Sequence, residues 1–172
     1  GLGPDTVLDA LDTVGLQGDG RLLALNSYEN RVYQVGLDQG APIIVKFYRP
    51  NRWSDEAIIE EHQFCAELVA DEIPVVAPMI VQNGMLHRYQ GYRFAVFVRQ
   101  GGRTPELDQP GRLEWIGRFM GRIHATGARK NYVHRDSLDI ASFGERPRAW
   151  LLEHDFIPQE LRQSWVSITD QA

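Results

Sequence analysis

The chain has 172 residues, 43% hydrophobic and 24% charged, and its 18 basic and 23 acidic side chains leave a formal net charge of -5. That composition is the one of a folded, water-compatible protein and is too acidic for a general nucleic-acid-binding surface. Its one cysteine, Cys65, rules out an intrachain disulfide and fits a reducing compartment, while no stretch reaches the ~18 to 20 apolar residues that span a bilayer and no signal-peptide pattern opens the chain.

Residues 4–16 read as a short helix, with Asp5 near its start and Val7, Leu8, Leu11 and Val14 recurring at helical spacing. Three strands are predicted next, over 21–26, 31–37 and 42–48, joined by a polar loop and by Asp38-Gln39-Gly40. Links that short favour an antiparallel meander. Trp53-Ser54-Asp55 opens a long helix to about residue 70, with Ser54 as its cap and acids in its first turn. Asn83-Gly84 marks a hairpin between 79–81 and 85–89, and 92–98 is the last strand of the set. Residues 101–110, rich in Gly, Pro and acids, read as a linker. Helical patterns follow. Asp108 and Pro110 start a helix carrying Leu113, Ile116, Phe119, Met120 and Ile123 and ending before Gly127, then a loop runs over 128–144, with short helices around 150–153 and 158–170.

The length suits one domain, or one lobe and a piece of the next. Gly1, in place of an initiator methionine, leads us to expect a processed or shortened chain.

Chemistry concentrates in the first hundred residues. Ile43-Ile44-Val45-Lys46-Phe47-Tyr48 is a β-prone run with one lysine at its centre, and alternation puts Lys46 on the face of Ile44 and Tyr48. A cation there needs an anion, because an unpaired buried charge is costly. An edge-strand lysine that discourages aggregation is the plainer alternative. On the following helix, 100° per residue lines up Ile58, Cys65 and Val69, with Phe64 and Leu68 beside them, and Glu61 falls in that apolar sector. Glu56, Glu60 and Glu67 cluster on the other side, where a solvated face is the ordinary explanation. Glu61, rather than Glu60, is therefore the expected partner of Lys46, against the alternative of a surface residue at the stripe's edge.

Two further segments fit a nucleotide. In the loop Asn26-Ser27-Tyr28-Glu29-Asn30, Ser27, Asn30 and nearby backbone N–H groups can hydrogen-bond phosphate, or Ser27 and Asn30 can bond their own backbone as turn formers. The run 94–98 reads as a buried strand, and in Phe97 and Val98 it supplies backbone that can meet an adenine edge. Phosphate loop, strand lysine and helix glutamate together make the nucleotide clamp of a kinase N-lobe.

These stretches, residues 25–50, Glu60-Glu61-His62-Gln63-Phe64 and 94–102, resemble the bacterial stress-response kinase A family of the aminoglycoside-phosphotransferase, or protein-kinase-like, superfamily. Residues 116–124 resemble that superfamily's first large C-lobe helix. The resemblance implies an α+β fold: a protein-kinase-like N-lobe of about five antiparallel strands with one long helix over 1–100, a hinge over 101–110, and an incomplete helical C-lobe over 111–172. It implies ATP and Mg²⁺ as cofactors, a protein Ser/Thr substrate, and stress-linked work in the cytoplasm, with no nucleic-acid or membrane partner. It carries Ser27 over as a phosphate-loop residue, Lys46 as the phosphate clamp and Glu61 as its partner. A small-molecule kinase and a non-catalytic nucleotide-binding interaction module are the alternatives.

The superfamily's H-G-D-x-H-x-x-N catalytic loop and its later acidic metal ligand do not occur here, so the catalytic Asp and the metal ligands are expected beyond Ala172. His134-Arg135-Asp136 and Ser142-Phe143-Gly144 imitate the protein-kinase HRD and DFG triplets. However, Ala141 stands where a metal-binding Asn belongs, Ser142 replaces the metal-binding Asp, and the two triplets are too close for the hairpin between them. Asp136 is expected to be a loop residue, capping or paired with an arginine, and no catalytic residue is assigned. Trp115, Trp150 and Trp165 read as helix-packing residues. Apolar faces at Phe119, Met120, Ile123, Trp150 and Trp165 lead us to expect self-association.

Overall fold

A computed structural model describes residues 1–171. Its centre is a five-stranded antiparallel sheet of order β1-β2-β3-β5-β4, formed by β1 (Gly18–Leu25), β2 (Arg31–Leu37), β3 (Ile43–Tyr48), β4 (His87–Tyr89) and β5 (Tyr92–Val98). The short turns keep β1, β2 and β3 in a meander, as their lengths predict. Between β3 and β4 the chain inserts α2 (Asp55–Ala70), and β5 then returns to pair with β3 along its whole length.

The two faces of the sheet pack differently, and that difference positions the site. Side chains alternate, so Val35, Ile43, Val45, Phe47, Phe94 and Val96 share one face. Against it lies α1 (Pro4–Asp12), which buries Val7, Ala10 and Leu11 completely. Phe47 anchors this layer, stacked on Phe94 at 5.3 Å and edge-on to Tyr33 and Tyr92. The opposite face carries Ile44, Lys46, Tyr48, Ala95 and Phe97. Only part of it is covered, where Ile58 of α2 meets Tyr48 and Ala95.

Several expected boundaries move for local reasons. Helix α1 stops at Asp12 rather than 16, because Gly15 adopts φ 77 and the Leu16 N–H returns to the Leu11 carbonyl. Strand β1 begins at Gly18 through an irregularity before Leu22, which Gly20 at φ 86 permits. The hairpin turn is centred on Gln82-Asn83, one residue earlier than the Asn-Gly pair suggests. Both residues have positive φ, 45 and 64, as a type I′ turn demands, and Val81 pairs with Gly84 across it. The edge of β5 is shared, since Pro78 bridges Phe97 upstream of the short β4.

Residues 99–111 are exposed throughout. Helix α3 (Arg112–Gly127) begins after Gly111 (φ 74) instead of at Asp108 or Pro110, and it runs through Gly127. The chain separates into two compact units, Gly1–His134 and Arg135–Ala172. The first of these units extends past α3 to His134. The end of α3 is tied to the end of α2. The Thr126 hydroxyl donates to Asp71 Oδ2 at 2.5 Å, and Arg122 donates to the Asp71 and Glu72 carbonyls at 3.0 and 3.2 Å.

The second unit holds a π-helical turn (Ala141–Glu145), α4 (Arg146–Glu153) and α5 (Gln159–Thr169). The expected loop over 128–144 is therefore helical from Ala141 on. Arg148 links α4 to α5 through Thr169 Oγ1, 2.9 Å away. An open hollow of about 800 Å³ lies among Ile140, Phe143, Leu151 and Trp165. Trp165 lines that hollow, but Trp115 and Trp150 are half exposed and contact neighbours of their own segments, Trp115 edge-on to Phe119 and Trp150 stacked on His154.

Candidate functional site

The site is built on the half-covered face. Lys46 lies opposite Val32 on β2 and Ala95 on β5, so its stem crosses the middle of the sheet. Lys46 Nζ donates to Glu61 Oε1 at 3.2 Å and lies 4.7 Å from the centre of the Tyr48 ring. The lysine is 24% and the glutamate 36% exposed. The pair is thus formed, yet open on one side, which leaves the lysine able to meet a second anion.

Helix phase explains the choice of glutamate. Ser54 caps α2 by accepting the Ala57 N–H at 3.1 Å, and the buried residues are Ala57, Ile58, His62 and Leu68. Glu61 falls inside that arc, as its phase predicts. The stripe itself is shifted from the expected one: Val69 is half exposed, because it ends up beside a hollow lined by Val75, Val76 and Val98 instead of under the sheet. Glu60 and Glu67 are not a solvated face either. Glu67 pairs with Lys130, and Glu60 accepts the Val133 and His134 N–H groups.

A second tie between β3 and α2 went unread in the sequence. The Tyr48 hydroxyl lies 2.6 Å from His62 Nε2, and His62 is 1% exposed. The signal was available, since His62 stands four residues after Ile58 on the buried arc. At the start of α2, Arg93 reaches from β5 to Asp55 at 3.0 Å and to the Trp53 carbonyl at 2.5 Å, closing the β3–α2 connection. Cys65 is half-buried beside the pair. Burial pushes its thiol pKa up and the Glu61 carboxylate adds to that, so it behaves as a packing residue.

In the loop of residues 26–30 the turn-forming alternative is what the structure holds. The Ser27 hydroxyl donates to the Asn30 carbonyl, and Asn30 Oδ1 accepts the Arg49 N–H at 3.2 Å. Glu29 bonds Arg52, whose guanidinium holds the Glu29 carboxyl below the usual carboxylate range. The loop is therefore latched to residues 49–53 and starts on the same strand end as Lys46. Phe97 lies opposite Ile44, half-buried on the Lys46 face, while Val98 is exposed at the strand's end.

Asp136 carries an ion pair with Arg146 at 3.6 Å, and both side chains are exposed. Ser142-Phe143-Gly144 lies inside the π-helical turn, where Asp139 Oδ1 accepts the Ser142 N–H at 2.7 Å. That is helical backbone, with no likeness to a metal-binding loop. Among the described residues, no group of three or more His, Cys, Asp or Glu is placed to hold a metal ion.

An antiparallel five-stranded sheet, with a lysine on its third strand held by a glutamate from one inserted helix, defines a lobe of the protein-kinase-like fold. The sequence pattern of the phosphotransferase enzyme family matches residues 21–169, and the chain belongs to that family. Stress response kinase A of Escherichia coli (strain K12) is 42% identical over 170 residues, which cover 99% of this chain and 52% of that protein. A serine/threonine protein kinase, RdoA of Salmonella typhimurium (strain LT2), is 41% identical over 169 residues, 98% of this chain and 52% of that one. The chain spans about half the length of the curated relatives it matches. Among solved structures, amicoumacin kinase hAmiN, in complex with AMP-PNP, Ca²⁺ and Ami, superposes with a TM-score of 0.73 at 19% identity, over 97% of this chain and 52% of that one. A microcompartment-associated aminopropanol kinase gives 0.63 at 19% identity, over 83% and 48%. The resemblance read from residues 25–50, 60–64 and 94–102 is borne out.

Proposed function

We propose that this chain carries the nucleotide-binding part of an ATP-dependent kinase that, in the intact protein, transfers the ATP γ-phosphate to serine or threonine hydroxyls of proteins in the cytoplasm. The observation that carries the reading is the half-open Lys46–Glu61 pair. Such a lysine meets the α and β phosphates as a point charge while the carboxylate keeps it extended. Ser27 and Asn30 would turn from their internal bonds toward phosphate. The half-buried Ile44 and Phe97 offer an apolar seat for a purine, and the backbone at Phe97 and Val98 its hydrogen-bonding edge.

Mg²⁺ belongs to this reading through the nucleotide, but the described residues offer no donor cluster for it. The residue that would position the acceptor hydroxyl is likewise sought outside this span, so the 172-residue chain is proposed to hold ATP weakly and to transfer nothing. Protein hydroxyls are preferred over a small-molecule acceptor because the relatives at 41–42% identity are named as stress response and serine/threonine protein kinases. The exposed Leu138, Ile140 and Phe143 of the second unit support the accompanying proposal that the isolated chain self-associates.

Titration of the chain with a fluorescent ATP analogue tests the central claim. Binding weakened by about tenfold or more in Lys46→Met supports it. Equal affinity in wild type and Lys46→Met overturns it.

A further inference from the structure

The adjacent glutamates of α2 point about 100° apart, and each has its own partner. Glu61 meets Lys46 on the sheet side. Glu60 faces the segment that leaves α3, where its Oε1 accepts the Val133 N–H at 2.7 Å and its Oε2 accepts the His134 N–H at 3.1 Å. One carboxylate holding two successive backbone N–H groups is a charge-assisted, geometrically fixed contact. It does not stand alone. Asp71 takes Arg129 at 2.9 Å, Glu67 takes Lys130, and Phe64 meets Tyr132 edge-on at 5.7 Å. Residues 129–134 therefore run as a strap along α2, antiparallel to it, with one contact for each turn from Asp71 back to Glu60.

We propose that Glu60 is a positioning residue, which fixes the rotation of α2 so that Glu61 stays on Lys46. The proposal rests on the nucleotide-clamp reading for its consequence, but its geometry stands apart. A rotation or slide of α2 that withdraws Glu61 from the sheet also pulls Glu60 off Val133 and His134. Of the strap contacts, Glu60 lies nearest in sequence to Glu61, and it bonds backbone, which cannot follow by changing rotamer. This gives the HRD-like triplet a structural account: the N–H of His134 serves as a docking point for α2.

The chain has two lysines, Lys46 and Lys130, each paired to α2, so lysine acylation followed by mass spectrometry reads both ties in one sample. Glu60→Gln, which presents an amide NH₂ to one of the two N–H groups, is expected to raise the Lys46 acylation rate about threefold or more. In a Glu61→Gln background the same change is expected to add nothing, because the two act through one contact. Glu67→Gln is expected to raise Lys130 acylation and leave Lys46 unchanged. An unaltered Lys46 rate in Glu60→Gln overturns the proposal. So does a rise that is additive with Glu61→Gln, or one shared equally by both lysines, which reports general loosening. The readout needs no nucleotide, so failure of the chain to bind ATP would count against the clamp reading and leave this test in force.

Discussion

The Tyr48 hydroxyl sits 2.6 Å from His62 Nε2, and the Lys46 ammonium 3.2 Å from Glu61 Oε1. Lys46 and Tyr48 share a face of β3, and Glu61 and His62 are successive on α2. Two ties thus join the same pair of elements, one half-open and ionic, the other buried. The buried tie holds α2 to β3, while the ionic one stays partly exposed.

Tyr48→Phe removes the buried tie without removing a ring. A loss of about 1–3 kcal/mol is expected, since a buried polar partner loses its bond. At about 2–4 °C per kcal/mol for a chain of this size, thermal melting reads the change. An unchanged melting midpoint would show that this contact contributes nothing.

Phe47→Ala tests the layer under the site. Phe47 is 2% exposed and packs on three aromatic rings. Truncation is expected to cost about 3–5 kcal/mol. Denaturant unfolding should show a lower midpoint with a similar slope, and a loss under about 1 kcal/mol would contradict the packing described.

The α2–α3 junction should be acid-sensitive. The Thr126 hydroxyl, and then Arg129, hold the Asp71 carboxyl below its ordinary value of 3.8. A depressed carboxylate pKa stabilises the fold fully above the ordinary value, and that contribution is lost as pH falls through the folded one. Melting midpoints of wild type and Asp71→Asn should therefore differ at neutral pH and converge below about pH 4. A gap that stays constant across that range would refute the assignment.

Asp136→Asn should be silent. The carboxylate is 63% exposed and its arginine partner 61%, an ion pair of the kind that contributes little. Stability should change by under about 0.5 kcal/mol, with nucleotide affinity unchanged. Measurable γ-phosphate transfer by the 172-residue chain, lost in this variant, would instead make Asp136 a catalytic base.

What could be read beforehand, and what could not, follows from how far each interaction reaches. Alternation and helical phase are local, so Lys46 and Glu61 could be set facing one another from spacing alone. Ser54 as the cap was legible for the same reason. The turn falls on Gln82-Asn83, one residue before the Asn-Gly pair, because composition names Asn-Gly while the backbone chooses which two residues take positive φ. Ser27 and Asn30 each had two chemically sound roles, and only the folded loop showed which bonds they hold without a ligand.

By itself, then, the sequence determined the sheet meander, the inserted helix, the strand lysine and its glutamate, since each rests on periodicity within one or two elements. The tertiary structure decided the rest. It turned Glu60 and Glu67 from a solvated face into the docking side of a strap, because residues 129–134 approach α2 from some seventy positions away in the case of Glu60. It also buried His62 against Tyr48 and bound Asp71 to Thr126. No local pattern encodes those meetings; they exist only once the sheet has set where α2 lies and α3 has closed on its end.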